Sequence, residues 1–231
     1  YRAVDRVLAP TPTMRDYLLG KGVKEEAINI WGRGVSTDRF GPHHRDENLW
    51  PSLSPTTKKV IFVSRLVKEK EPKTLIRLYQ LLAKRRPDIK MIVTGDGPTK
   101  RILEESMPDA IFTGKLTGED LARAYASSDV FVFPSVTETF GNVVLEALAS
   151  GLPVVAANGG GPVDIIKQGV TGVLVEHQNE EAFYEEIVKL LDNEEYYATS
   201  RQNALLYAKS QNWETLCKEL FDLYQRLVNK A

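Results

Sequence analysis

An α/β fold built on a doubly wound parallel sheet is what this sequence predicts, and three observations carry the expectation. Short β-branched runs alternate with stretches of helical periodicity across most of the chain. The runs are apolar throughout rather than alternating apolar with polar, which suits strands covered by helices on both faces. The connections between them are short, as in a chain of strand–helix–strand units.

The elements follow in order. Asp5–Ala9 reads as a strand, Thr13–Lys21 as a helix and Ile28–Trp31 as a strand. A polar stretch, His43 to Asn48, then looks like a boundary. Lys59–Val63 is a strand, and Glu71–Ala83 a helix in which Pro72 suits the first turn and Leu75, Leu78, Tyr79, Leu82 and Ala83 recur at helical spacing. Lys90–Thr94 is a strand and Thr99–Ser106 a helix; Ala110–Phe112 is a strand and Gly118–Ala126 a helix. Val130–Phe133 is a strand and Gly141–Ala149 a helix; Pro153–Ala156 is a strand and Pro162–Gln168 a helix. Gly172–Val175 closes the series, and residues 179–230 read as helical. The expected organisation is an end piece of one domain over 1–50, a ligand-binding domain over 51–192 and terminal helices over 193–231.

Composition narrows the function classes. The 231 residues carry 30 basic and 31 acidic side chains, a net charge of −1, which is no electrostatic footprint for nucleic acid. The longest apolar runs are far too short to span a bilayer. One cysteine, Cys217, allows no internal disulfide; it is expected to be a buried thiol in an apolar-periodic stretch. His43, His44 and His177 are not spaced as metal ligands and read as exposed loop residues. Tyr79, Tyr196, Tyr197, Tyr207 and Tyr224 read as packing residues in helices. The first residue is Tyr1 rather than Met, so a fragment or processed product of a longer protein is expected.

In doubly wound sheets ligands bind outside the carboxyl ends of the strands. The loops there hold glycine and polar residues, including Gly95-Asp96-Gly97-Pro98, Gly114 and Gly159-Gly160-Gly161. Arg65 and Lys70, after the strand ending at Val63, form a cationic pair suited to phosphate, although a basic loop residue is by itself usually just solvated. Glu138 and Glu146 are eight apart. With Glu138 in a loop and Glu146 in the second turn of the helix opened by Gly141, both can reach one extended polyhydroxylated ligand; a helix-dipole Glu and a surface Glu is an equal reading from spacing alone. No Gly-x-Gly-x-x-Gly follows the first strand of the sheet, which argues against a nicotinamide-dependent dehydrogenase.

Taken together, Ser64-Arg65-Leu66 with Lys70, Gly95-x-Gly97-Pro98, Glu138-x-Phe140-Gly141 with Glu146, Ala147-x-Ala149-x-Gly151-x-Pro153-Val154, Gly159-Gly160 and Thr171-Gly172-x-Leu174-Val175 resemble the family-4 glycosyltransferases, retaining enzymes of the two-domain GT-B fold. The match runs through most of 28–192, with Ser64 where the family usually has glycine. Gly34-Val35-Ser36-Thr37-Asp38-Arg39-Phe40 resembles a signature at the family's domain crossing, with Ser36 where Asp is common, and the Trp31-Gly32-Arg33-Gly34 form is similar to branches using UDP-sulfoquinovose or GDP-mannose.

The resemblance implies a Rossmann-like C-terminal half of a GT-B fold, a remnant of the N-terminal domain, and a terminal helix around Trp213–Leu227 that crosses back to that domain. It implies that Arg65 and Lys70 bind the donor diphosphate, that Glu138 contacts the donor sugar and that Glu146 holds the ribose. Thr139 and the backbone of Phe140, Gly141 and Asn142 would face sugar and phosphate, and Gly114 and Leu116 the base. The implied substrate is a UDP- or GDP-linked hexose, with no cofactor and no metal required. The implied partner is a missing N-terminal domain or companion chain carrying the acceptor site and any peripheral membrane contact, in a cytoplasmic protein. Such a chain binds donor without turnover. A non-catalytic nucleotide-sugar-binding subunit and a nucleotide-sugar epimerase remain as alternatives.

Overall fold

The computed structural model describes residues 4–229; residues 1–3 and 230–231 lie outside it. A six-stranded, wholly parallel sheet organises residues 58–175. Its strands are β3 (Lys58–Val63), β4 (Ile89–Thr94), β5 (Ile111–Gly114), β6 (Val130–Phe133), β7 (Val154–Ala157) and β8 (Gly172–Val175). The spatial order is β5-β4-β3-β6-β7-β8. Strand order therefore reverses between β3 and β6, where Val60 and Ile61 pair with Val130 and Phe131. At that reversal the two flanking connections leave toward opposite faces, and a crevice opens at the carboxyl ends.

Helices cover both faces. α2 (Pro72–Arg85), α3 (Lys100–Ser106) and α7 (Glu180–Asp192) lie on one; α4 (Gly118–Ala126), α5 (Asn142–Ala149), the short α6 (Pro162–Ile165) and α8 (Glu194–Ser210) lie on the other. The apolar strand centres follow from this: Val60, Ile61, Ile92, Val93, Phe131, Val132, Phe133, Val154 and Val155 are fully shielded. Tyr125, Phe131 and Phe133 form an aromatic seam, with ring centroids 5.8 and 6.1 Å apart along it. Each such side chain contributes roughly 1.5–3 kcal/mol by leaving water.

Residues 7–30 form a separate parallel pair, β1 (Val7–Ala9) and β2 (Ile28–Ile30), joined through α1 (Pro12–Gly20). Thr11 caps α1, its hydroxyl accepting from Met14 N at 3.1 Å. The last helix, α9 (Trp213–Val228), packs here: Trp31 Nε1 donates to the Leu216 carbonyl at 2.9 Å, and the Trp31 and Trp213 rings meet edge to face at 6.3 Å. Gly34 is required by this contact, because a Cβ there would lie 2.7 Å from Trp213 N. The polar stretch after it is anchored to the sheet domain: Asp46 N donates to Ser127 Oγ at 3.0 Å, and Arg123 pairs with the Asp46 carboxylate.

The terminal region is helical, as expected, and divides into three helices because Asn179, Asn193 and Asn212 each cap the next helix with the side-chain oxygen. Other expectations are corrected. The helix from Pro162 ends at Ile165 rather than Gln168, since Thr171 Oγ1 takes Lys167 N and Gln168 bridges to Gly172. Cys217 is exposed, and so is Tyr224. Both belong to a face of α9 that none of the described residues covers: the helix packs through Trp213, Leu216 and Leu223 and turns Cys217, Phe221 and Tyr224 outward. His177 is half-buried, its Nε2 3.2 Å from Glu71 Oε1, at ion-pair distance but not aligned as a hydrogen bond. No helix of the described residues is long and apolar enough to cross a membrane.

Candidate functional site

A cleft of about 670 Å³ opens where the strand order reverses. One wall is the loop after β3, contributing Ser64, Arg65, Val67, Glu69 and Lys70. The other is the loop after β6 with the start of α5, contributing Thr137, Glu138, Thr139, Asn142 and Val143. Arg65, Lys70, Glu138, Thr139 and Asn142 are thus brought together.

Lys70 is the buried member, 8% exposed at the end of a 3₁₀ turn. Its Nζ donates to Glu138 Oε2 at 2.7 Å and lies 5.4 Å from the Phe133 ring centre. The carboxylate and the ring face offset the cost of removing an ammonium from water. Arg65 is exposed on the cleft rim, and among the described residues no side-chain hydrogen bond or ion pair engages it. The site therefore presents one bound and one unengaged cation beside a carboxylate.

α5 aims its N-terminus into the cleft. Gly141 opens it in a left-handed conformation (φ 102°) that disfavours any side chain, and the first N–H groups of a helix have no partner within it. Phe140 lies behind, half-buried in the core, with Gly161 tight against its backbone. The triple-glycine turn buttresses Glu138: Gly161 N donates to the Glu138 carbonyl at 2.6 Å.

The loop after β4 buttresses the opposite wall. Leu66 N donates to the Asp96 carbonyl at 2.8 Å, and Thr99 N to the Leu66 carbonyl at 3.0 Å. Gly95 has φ +141°, and a Cβ there would overlap the Ser64 carbonyl oxygen. Gly95→Ala is expected to lower unfolding free energy by about 2–4 kcal/mol through backbone strain and displacement of the Ser64–Leu66 strap. Urea denaturation checks this as a lowered midpoint at unchanged slope.

Glu146 lies elsewhere. Four residues along α5 from Asn142, it lines a separate hollow of about 200 Å³ with Val35, Ser36, Arg39, Phe40 and Trp213, and only Asn142 belongs to both cavities. Tyr125 OH donates to Glu146 Oε2 at 3.2 Å. Burial raises the Glu146 carboxyl to about 7, against the lowering effects of that hydrogen bond and of Arg39. Gly114 and Leu116 sit at the end of β5, two strands from β3 and so roughly 10 Å along the sheet edge. Leu116 packs half-buried against the core. Among the described residues no three His, Cys, Asp or Glu side chains cluster as metal ligands.

Several cleft residues had no sequence signal of their own. Val67, Glu69 and Val143 are placed there by neighbours, and the role of Ser135 and Thr137 depends on a contact 66 and 68 positions away along the chain.

The family model for glycosyl transferases group 1 matches residues 44–206. A GDP-mannose-dependent alpha-mannosyltransferase of Corynebacterium glutamicum is 37% identical over 225 residues, covering 96% of this chain and 53% of that protein. A sulfoquinovosyl transferase of Arabidopsis thaliana is 40% identical over 184 residues, 75% of this chain and 35% of that protein. The chain thus spans about half the length, or less, of these curated relatives. Among solved structures, an Anabaena protein in complex with UDP and glucose superposes with a TM-score of 0.86 at 21% identity, over 97% of this chain and 64% of that one.

Proposed function

Because this chain belongs to the group 1 glycosyl transferases, we propose that it is the donor-binding part of a retaining enzyme that transfers a hexose from a nucleoside-diphosphate sugar. The observation that carries the reading is the cleft at the β3/β6 reversal, where the Lys70–Glu138 pair, the unengaged Arg65 and the N-terminus of α5 converge. Two cations and a set of free backbone N–H groups suit a diphosphate; a carboxylate beside them suits sugar hydroxyls.

In this reading Arg65 and Lys70 hold the diphosphate and stabilise the charge that develops on it as the glycosidic bond breaks, a preorganised electrostatic role that calls for no metal. Glu138 and Thr139 contact the hexose, and the backbone of Phe140, Gly141 and Asn142 faces sugar and phosphate. Glu146 takes the ribose hydroxyls, with its hollow reached past Asn142, and Gly114 and Leu116 take the base. The acceptor site belongs to a companion domain, a view supported by the chain's spanning about half of the mannosyltransferase. The same proposal puts the protein in the cytoplasm. GDP-mannose is the first donor to test, on the strength of the named relative and the Trp31-Gly32-Arg33-Gly34 form; UDP-sugars come second.

Thermal melts with GDP, UDP and ADP test the reading. A ligand at a hundred times its Kd adds about 2.7 kcal/mol, a rise of roughly 5–10 °C for a chain of this size. The proposal fails if none of the three raises the midpoint, or if Glu146→Ala leaves the rise intact.

A further inference from the structure

Lys70 sits in a turn fixed on both sides by groups from other loops. On its N-terminal side the Glu69 carbonyl accepts two hydroxyls, from Ser135 Oγ at 2.9 Å and Thr137 Oγ1 at 3.0 Å. Both lone pairs of that oxygen are engaged by the loop that carries Glu138. Ser135 is fully buried, its Oγ also accepts from Thr137 N at 3.3 Å, and the two hydroxyls lie 3.0 Å apart. On the C-terminal side Glu71 is in the left-handed region (φ 56°, ψ 53°), unfavourable for a residue with a side chain. Its carboxylate is held by Gln178 Nε2 at 3.3 Å and faces His177, and Gln178 is itself left-handed (φ 59°). A backbone kept in such a conformation is over-determined by its surroundings, and here the surroundings fix the one residue between.

We propose that Ser135 and Thr137 are positioning residues of the donor site. By docking the Glu69 carbonyl onto the β6 loop, they set the distance between Lys70 Nζ and Glu138 before any ligand arrives. A local turn role would tie Ser135 and Thr137 only to each other, as their 3.0 Å hydroxyl contact does; each hydroxyl also reaches the Glu69 carbonyl of the opposite wall. The assignment rests on the donor-site reading above. Its consequence is selective: losing a hydroxyl loosens the diphosphate cradle and leaves base and ribose contacts alone.

The test titrates the 231-residue chain by calorimetry with GDP and GMP, and with UDP and UMP, following whichever pair the wild type binds. Thr137→Val removes one hydroxyl at an exposed position and keeps the side chain's shape, so folding is retained. It is expected to weaken the diphosphate about fivefold, the factor for one ordinary hydrogen bond, with the monophosphate within twofold of wild type. Thr137→Ser restores tight binding. Ser135→Ala with Thr137→Val is expected to cost about 20-fold. The positioning role is overturned if Thr137→Val binds diphosphate like wild type, if Thr137→Ser is as weak as Thr137→Val, or if diphosphate and monophosphate weaken together. Failure of the donor-site reading looks different: wild type then binds neither diphosphate, or Lys70→Met binds as wild type does.

Discussion

Lys70→Met is expected to lower the affinity of this chain for a nucleoside diphosphate by about 100-fold while changing stability by only about 1 kcal/mol. The large effect follows from where the ammonium sits. It is 8% exposed, so its attraction for a phosphate oxygen is weakly screened, and a hydrogen bond to a charged group there is at the strong end of the range. Methionine matches the stem and keeps the contact with Phe133, so the packing loss is small. The substitution also strips Glu138 of its partner at 2.7 Å and leaves a carboxylate facing the diphosphate without compensation. In the unliganded protein that carboxylate is 29% exposed and can be hydrated, which keeps the stability change modest. Arg65→Met separates the two cations. Among the described residues Arg65 has no side-chain partner to orphan, so stability should not change and affinity should fall about tenfold. Calorimetric titration with GDP or UDP, beside urea denaturation of each variant, checks both. Wild-type affinity in Lys70→Met would mean that the cleft does not hold the diphosphate.

The same pair shows where the sequence was informative and where it stopped. The doubly wound sheet is legible because burial on both faces leaves the strand segments Val60–Val63, Met91–Val93 and Val130–Phe133 apolar throughout, a pattern that no tertiary contact needs to rescue. The cleft is legible in part because strand-end loops must hold its residues, which put Arg65, Lys70 and Glu138 in range of one another. Spacing could not show that Lys70 and Glu138 are already paired, since residues 68 apart meet only through the strand reversal. Nor could it show that Glu146 faces a different hollow. One face of α5 turns toward the cleft and the other toward residues 34–40 and Trp213, and that depends on how the first 50 residues and α9 come back onto the sheet domain. The exposure of Cys217 escapes the sequence for a related reason. Apolar periodicity identifies a helix that buries one stripe, and α9 carries a second stripe, Cys217, Phe221 and Tyr224, that the described residues do not cover.

Glu146 supplies the second large expected effect, in pH dependence. Burial raises its carboxyl from the ordinary 4.5 to about 7 in the folded chain. In the unfolded chain it titrates near 4.5, so between about pH 4.5 and 7 the folded state binds a proton that the unfolded state has lost. The linked contribution is therefore fully present below pH 4.5, declines as pH rises through 7 and is gone above it. A shift of this size corresponds to about 2–4 kcal/mol. Glu146→Gln, which keeps the shape and cannot ionise, should be more stable than wild type at pH 8 by about that amount and indistinguishable from it at pH 4.5. Nucleotide binding should run the opposite way. Ribose hydroxyls donating to Glu146 favour the carboxylate over the neutral acid, so affinity should rise about tenfold from pH 6 to pH 8 as the ionised fraction grows. Binding near pH 6.5 should then release a proton, visible in calorimetry as a heat that depends on the buffer's ionisation enthalpy. A flat affinity profile with no buffer dependence, alongside the expected stability profile, would leave Glu146 buried and neutral for folding alone and assign the ribose to another group.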